Sequence, residues 1–336
     1  FFCCCAYAEL LDKTYYLNHY YLVTLFAFLL IWAPAHRRWS LDVLLRPSLH
    51  TLTVPAWAVL VFRWQLCLIY FCAGLSKLTA DWLLHAEPLR IWLPAKASVP
   101  LLGPLLRQEW AAWLFSWAGA AFDLSIPFIL LHRKTRLTGY ILVVVFHTLT
   151  AVLFQIGMFP YLMMSATLVF FFDRPVKEWT PWQPRRENAL LLVVGLYFLW
   201  QVLMPFRFLL YPGNLLWTEE GYRFSWRVML MEKGGAAFFY VKDPATGKRF
   251  EVNNSAFLTA YQERMMETQP DMMLQYAHIL EQYYKQQGLT HPEVTVESYI
   301  TLNGSGSRLY IDSTINLAAQ QESWFGHKSW ILPFKK

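Results

Sequence analysis

Charged residues are scarce in this sequence: only 15% of its 336 residues are Asp, Glu, Lys or Arg, against about 25% in a typical soluble domain. Hydrophobic residues make up 56% of the chain, and its mean hydropathy is +0.28. This composition excludes an ordinary soluble domain and a disordered chain. Because the apolar residues fall in long runs, we predict an integral membrane protein.

Cysteines and metal-binding motifs are scarce as well. All five cysteines lie in apolar runs, so residues 213–336 contain no thiol for a disulfide framework or a cysteine-based metal site. The sequence also lacks histidine boxes, an HExxH pair, a DDxxD motif and a Gly-rich phosphate loop. These absences favour a mechanism without a protein-bound metal.

The apolar runs predict a polytopic α-helical membrane domain over residues 1–212. A helix needs about 20 apolar residues to cross a bilayer. The seven runs are 1–11, 17–34, 55–79, 110–132, 137–156, 158–172 and 189–211. We expect the first run to be the visible end of a longer helix, because the sequence opens inside it.

The composition changes after Pro212 and Gly213, where we place the start of a second domain (213–336). Within it, two pairs of segments flank turn-rich stretches, which is typical of β-hairpins. The first pair is 236–242 and 249–252, and the second is 294–302 and 308–311. Residues 255–287 have helical character. We therefore predict a small C-terminal α+β extramembrane domain.

Basic residues are unequally distributed over the two predicted sides of the membrane. The loops 35–54, 133–136 and 173–188 hold ten Lys and Arg residues, whereas the loops on the side of 213–336 hold four. The positive-inside rule therefore places the basic loops in the cytoplasm and the C-terminal domain in the periplasm or an organelle lumen. The net charge of +6 comes from residues 1–212, which hold 17 basic and 10 acidic residues. It indicates topology and lipid contact, not nucleic-acid binding.

The third run carries polar side chains at regular spacing. Arg63, Tyr70 and Lys77 are seven residues apart and Asp81 follows four residues later, so a continuous helix would place them on one stripe. Lys77 would either form an ion pair with Asp81 or extend to the membrane interface. Alternatively, partial burial would disfavour its charged form and make the amine a general base.

Other polar residues lie near the predicted position of Lys77. Asn18 and His19 open the second run on the same side of the membrane, which suggests one pocket opening towards the C-terminal domain. Beside Lys77, Ala73 and Gly74 leave room for a planar ligand. These residues also have a structural interpretation, since polar side chains commonly decorate the entry of a helix.

The remaining intramembrane polar residues leave more than one interpretation open. His147 and Gln155 in the fifth run are either hydrogen-bonded core residues or ligand contacts. Asp123 and Ser125 in the fourth run are consistent with a pair that packs two helices together. None of the four is assigned a role from spacing alone.

Several of these residues stand in blocks that resemble one known family. The blocks are LDKTYYLNHYYL (11–22), AGLSKLTADW (73–82), FH (146–147), FQIGMF (154–159) with Tyr161, and GYRFSW (221–226). They resemble the vitamin K-dependent gamma-carboxylases, and the resemblance covers most of the chain. Ser76 precedes Lys77 in this sequence, whereas the animal enzymes have a lysine at the position of Ser76. The disulfide of the animal enzymes is also missing. We therefore interpret the chain as a compact, bacterial-type homologue.

The resemblance implies an enzyme that oxidises a reduced naphthoquinone with O2 to its epoxide, coupled to the addition of CO2 at the γ-carbon of protein glutamate. It implies that Lys77 is the catalytic base, with Asn18 and His19 as its catalytic neighbours. Such a lysine would remove a quinol proton, and the two neighbours would donate hydrogen bonds to the oxyanion. The expected quinone-binding residues are Tyr70, Gly74, Ala73, His147, Gln155 and Met158. Arg223, Arg227 and Arg308 are candidates for holding the substrate carboxylate, although solvated surface charge also explains them.

The implied cofactor is reduced vitamin K or menaquinol, used with O2 and CO2 and without a metal. The implied partners are membrane lipids, the quinol and a glutamate-containing peptide or protein, with no nucleic acid. Two alternatives remain from the sequence. One is a quinol epoxidase without carboxylase activity. The other is a non-enzymatic membrane binding or transport protein whose lysine forms a structural ion pair.

Overall fold

The chain divides into two compact units in a computed structural model that describes residues 1–172 and 184–335. The membrane unit comprises Phe1–Leu11, Tyr16–Pro205 and Trp226–Val228. The extramembrane unit comprises Asp12–Tyr15, Phe206–Ser225 and Met229–Lys336. Most of the predicted cytoplasmic loop 173–188 lies outside the described residues.

The membrane unit is helical, as predicted. Its helices are α1 (Phe2–Leu11), α2 (Asn18–Trp32), α3 (Leu41–Leu45), α4 (Ala56–Ser76), α5 (Ala80–Leu83), α6 (Leu89–Ala95), α7 (Gly103–Leu106), α8 (Glu109–Leu131), α9 (Arg136–Leu153), α10 (Phe159–Thr167) and α11 (Pro184–Leu203). Four helical stretches are long and apolar enough to cross a bilayer, namely α4, α8, α9 and Asn188–Leu210. The apolar helices α1, α2 and Phe159–Phe171 are shorter. A polytopic helical membrane protein is thereby confirmed.

The third predicted run is not one continuous helix. It ends as α4 at Ser76, and the short helix α5 begins three residues after Lys77. The Thr79 side chain accepts a hydrogen bond from the backbone N–H of Trp82 and so caps α5. Asp81 therefore lies on a different helix from Tyr70, and the predicted single stripe ends before it.

Two features hold the long helices together where lipid offers no hydrogen-bond partner. First, a Cβ atom at Gly74 would lie 2.9 Å from the backbone nitrogen of Leu124, so the glycine lets α4 and α8 approach closely. Second, a buried chain of hydrogen bonds joins α2, α4 and α11. It runs from the Tyr197 hydroxyl to Gln65 Oε1 (2.7 Å), from Gln65 Nε2 to Gln201 Oε1 (3.3 Å), and from Gln201 Nε2 to the Tyr21 hydroxyl (2.8 Å).

The extramembrane unit contains one antiparallel sheet and three helices. These elements are α12 (Leu215–Thr218), β1 (Lys233–Lys242), β2 (Arg249–Glu251), α13 (Ala260–Met266), α14 (Pro270–Gln286), β3 (Glu293–Leu302) and β4 (Arg308–Leu309). The strand order is β2-β1-β3-β4. Both predicted hairpins are present, with Lys242 opposite Arg249 and Ile300 opposite Arg308. The α+β character of the C-terminal part is confirmed.

The predicted helix over 255–287 is two helices. Thr259 and Gln262 form a capping box that starts α13, and Pro270 occupies the first turn of α14. The buried face of α14 packs on the sheet, where the rings of Tyr276 and Phe239 are 4.8 Å apart. The loop Asp12–Tyr15 also joins this unit, because the Lys13 amine lies 3.1 Å from Glu322 Oε1.

Candidate active site

Lys77 caps the C-terminal end of α4, and its side chain is buried. Its Nζ lies 2.8 Å from Oδ2 of Asp123 on α8 and 3.3 Å from the carbonyl oxygen of Ala73. Both members of the ion pair are buried, with side-chain exposures of 8% and 7%. The partner is thus Asp123 and not Asp81, because the break between α4 and α5 removes the helical spacing that would join Lys77 to Asp81.

The indole of Trp82 also contacts the Lys77 amine. Its ring centre lies 5.4 Å from Nζ, a cation–π distance. The ring is fixed in place because its Nε1 donates to the carbonyl of Ser116 at 2.9 Å, while the Ser116 hydroxyl donates to the carbonyl of Trp82. These two bonds attach α5 to α8 beside the ion pair, so the amine lies in a preorganised, water-poor setting.

Tyr70 and His147 form a second buried polar group, with the tyrosine hydroxyl 2.9 Å from His147 Nε2. On the neighbouring helix α10, the Thr167 hydroxyl donates to the carbonyl of Met163 at 2.7 Å. Within residues 1–172 and 184–335, the buried Nδ1 of His147 has no hydrogen-bond partner.

Aromatic rings surround His147. Phe122 and Phe146 stack with ring centres 4.0 Å apart, and both make edge contacts with the His147 ring. Phe159 lies 5.8 Å from the ring of His147 and 6.2 Å from that of His19. Phe159 thereby connects His19 on α2 with His147 on α9. The sequence analysis gave none of these three phenylalanines a role, although Phe146 and Phe159 stand within its family blocks and Phe122 precedes Asp123.

Asn18 is already engaged in the structure. Its amide donates to the carbonyl of Arg227 at 2.9 Å, and its oxygen accepts from the Tyr16 hydroxyl at 3.1 Å. Trp226, next to Arg227, stacks on Tyr21 of α2 at 5.1 Å. The segment Trp226–Val228 therefore belongs to the membrane unit and orients the first turn of α2.

Other predicted quinone contacts have different surroundings from those expected. Leu124 packs directly against Gly74, so this glycine allows the close approach of α4 and α8. The carbonyl of Ala73 accepts hydrogen bonds from Ser76 and Lys77. Gln155 and Met158 are exposed between α9 and α10.

The three candidate arginines have different surroundings. Arg223 pairs with Asp271 in the extramembrane unit, with Nε 3.2 Å from Oδ2. Arg227 is buried in the membrane unit. Arg308 donates from Nη2 to the carbonyl of Ser305 at 2.9 Å, and its buried Nη1 has no partner among the described residues.

Family comparisons account for almost the whole chain. The HTTM domain, a membrane domain, matches residues 1–176. The vitamin K-dependent gamma-carboxylase lumenal domain matches residues 186–336. No solved structure matches the chain. The two domains occur in the order that the resemblance implies, and the family is named for its use of vitamin K in carboxylation. The chain belongs to the vitamin K-dependent gamma-carboxylase family.

Proposed function

We propose that this protein oxidises reduced vitamin K or menaquinol with O2 to the epoxide and uses this reaction to carboxylate glutamate with CO2. The observation that carries the proposal is the buried Lys77 amine, which makes only two hydrogen bonds among the described residues. An amine nitrogen has room for three hydrogens or two hydrogens and a lone pair. The third position has no acceptor among the described residues, and once the amine is neutral its lone pair there can take a proton from a ligand.

The surroundings of His147 fit a quinol. Stacked and edge-on phenylalanine rings suit a flat aromatic ligand. A quinol hydroxyl, which can both donate and accept, would satisfy the buried Nδ1 of His147. Tyr70 and His147 would hold one end of the quinol. When bound, the quinol supplies the reduced ring that reacts with O2 and so provides the strong base needed at the glutamate γ-carbon.

In this proposal the residues of the chain move and hold protons. Lys77 accepts a hydroxyl proton of the quinol in a pocket from which Trp82 and the helices exclude water. His19 and the second N–H of the Asn18 amide donate to the oxygen that becomes negative. The Asn18 contact with Arg227 fixes the direction of that amide.

The loop 303–308 offers a site for the substrate carboxylate. Three buried hydrogen-bonding atoms in this loop have no partner among the described residues, namely Asn303 Nδ2, Ser305 Oγ and Arg308 Nη1. A carboxylate accepts several hydrogen bonds and pairs with a guanidinium. We therefore assign the glutamate side chain to Arg308 in preference to Arg223, whose guanidinium is paired with Asp271. Arg227 remains a candidate inside the membrane unit.

We also propose that the basic loops face the cytoplasm and that the C-terminal domain faces the periplasm or a lumen. The quinol would then enter from the bilayer and the peptide from the side of the C-terminal domain. This orientation is supported by the family model that matches residues 186–336, because that model describes a lumenal domain. The same orientation predicts that protease cleaves residues 213–335 only from the non-cytoplasmic side of sealed vesicles.

The test incubates the purified protein in lipid nanodiscs with a reduced naphthoquinone, O2, labelled bicarbonate and a short glutamate peptide. Epoxide together with labelled peptide is the expected result. Epoxide without label would favour a quinol epoxidase that lacks carboxylase activity. If neither product forms with vitamin K hydroquinone or menaquinol, the proposal is wrong and a binding or transport role takes its place. Arg308→Gln serves as an internal check, since it should reduce label more than epoxide.

A further inference from the structure

Asp123 is the charged group closest to the Lys77 amine, at 2.8 Å, and it comes from a different helix. We propose that Asp123 is the positioning residue of the base: it holds the Lys77 amine in place and shares one proton with it. The inference rests on the proposed function for its catalytic meaning. The pairing itself rests on geometry and is tested separately.

The position of the amine depends on Asp123 because a lysine side chain has four rotatable carbon–carbon bonds. Two acceptors fix it here, Asp123 Oδ2 at 2.8 Å and the Ala73 carbonyl at 3.3 Å. The Ala73 contact is the longer one and lies on the helix of Lys77 itself. Asp123 is brought within reach by the close approach of α4 and α8, for which Gly74 is needed next to Leu124. The third position on the nitrogen then points in one defined direction.

The pair also solves a chemical problem of a lysine base. An ammonium group cannot accept a proton, so Lys77 must first lose one. Inside the pair, one N–H bond of Lys77 breaks and one O–H bond forms on Asp123, which leaves a neutral amine and a neutral carboxylic acid. No net charge is created, so the transfer avoids separating charge in a poorly solvated site. The lone pair released on the amine then takes the hydroxyl proton of the quinol.

Other titratable groups lie around this pair. Tyr70 on α4 interacts electrostatically with Asp123 and is hydrogen-bonded to His147 on α9. Trp82 contributes a ring without a titrating group. Among the described residues, Asp123 is the only carboxylate that forms an ion pair with Lys77, so its removal changes the protonation of Lys77 most directly.

The experiment measures the protonation of Lys77 without any quinol. A small apolar amine reagent labels neutral lysine, and mass spectrometry follows the labelling of Lys77 as a function of pH in wild type, Asp123→Asn, Asp123→Glu and Ser125→Ala. We expect Asp123→Asn to lower the pH of half-labelling by about 1 to 3 units, because the carboxylate that favours the ammonium form is gone. Ser125, exposed on the same helix and bonded to the carbonyl of Phe122, is the matched control and should leave the profile unchanged.

Epoxide formation supplies the second readout. Asp123→Asn should lower it about 100-fold at its own optimum, because the amine loses its fixed position. Asp123→Glu keeps the charge but displaces the amine, so it should label like wild type and still form epoxide slowly. If Asp123→Asn does not fold, the labelling profile and the epoxide formation of Asp123→Glu test the inference instead. A labelling profile unchanged in Asp123→Asn, or full epoxide formation in Asp123→Glu, overturns the inference. A shifted labelling profile in a protein that forms no epoxide supports the pair and rejects the proposed function.

Discussion

A buried lysine pairs with a carboxylate in each of the two units, and the two lysines differ in how completely their amines are hydrogen-bonded. In the extramembrane unit, Lys233 Nζ donates to Glu219 (2.6 Å), the carbonyl of Trp217 (2.9 Å) and the Tyr310 hydroxyl (3.1 Å). All three hydrogens of this ammonium are used. Lys77 in the membrane unit has two acceptors among the described residues.

This difference separates a structural lysine from a candidate base. A saturated ammonium has an acceptor for each of its three hydrogens and offers no position to a ligand. An amine with one open position, beside a carboxylate that can take its proton, is able to exchange protons. Burial and pairing alone therefore do not identify a functional lysine. The number of hydrogen-bond positions left open distinguishes Lys77 from Lys233.

The largest expected effect follows from removing the open amine. Lys77→Ala should lower epoxide formation at neutral pH by about 100-fold to 10,000-fold, the usual contribution of a positioned general base. Raising the pH should restore part of the rate, because a phenol-like hydroxyl ionises by itself near pH 10, roughly. Epoxide is measured by chromatography over a range of pH. Equal rates in wild type and Lys77→Ala would remove the base from the mechanism.

The second prediction concerns the saturated amine. Lys233→Met should destabilise the protein by about 3 to 5 kcal/mol, because Glu219 would remain buried without its partner. Unfolding by denaturant in detergent gives this free energy. The control is Lys242→Ala, which removes an ion pair with Glu293. The two side chains are 45% and 40% exposed, so this pair should contribute less than about 1 kcal/mol. If both variants lost the same free energy of unfolding, the structural role of Lys233 would be contradicted.

The third and smallest effect concerns a charge cluster of the extramembrane unit. Burial by itself raises the pKa of Asp271, but the charges of Arg223, Lys13 and Lys328 outweigh it and hold that pKa below its ordinary value of 3.8. The unfolded state therefore binds the proton more readily than the folded state. The ionised Asp271 therefore stabilises the folded protein fully at a pH above its ordinary pKa. This stabilisation is lost as the pH falls through the pKa that Asp271 has in the folded protein.

Asp271→Asn tests this cluster. At pH 7 it should cost about 1.5 to 3 kcal/mol, as expected for hydrogen bonds to a charged group. At pH 3 and below, the difference from wild type should shrink as Asp271 takes up its proton. Denaturant unfolding of both proteins at the two pH values measures the effect. A difference that stays constant across this range would show that the carboxylate charge contributes nothing.

Local features of the sequence were sufficient for much of the fold. Long apolar runs predicted the membrane helices, because a bilayer demands length and hydrophobicity from each helix separately. The hairpins around Asp243–Gly247 and Asn303–Gly304 were also predictable from residues close together in the chain. The helix break at Pro270 was missed, although the proline itself was the signal for it.

The candidate site depended on more distant relations. Spacing selected Lys77 and offered Asp81 as one possible partner, but α4 ends at Ser76 and the ion pair is formed with Asp123. Asp123, a lone acid in an apolar run, was noticed only as a packing residue. Gly74 was expected to make room for a ring, and the structure gives that room to Leu124. The roles of Lys77, Asn18 and His19 stay predictions.

Composition, periodicity and the family blocks thus established a helical membrane protein with an α+β domain and selected Lys77 as its candidate base. Tertiary packing alone decided that Asp123, 46 positions further along the chain, meets this lysine. It also decided that Phe159 connects His19 with His147. In the C-terminal domain, it decided that β1 pairs with β3, which lies far from it in the sequence. The physical reason is that periodicity describes how one element presents its own faces. Which faces meet depends on the close approach of several elements at once.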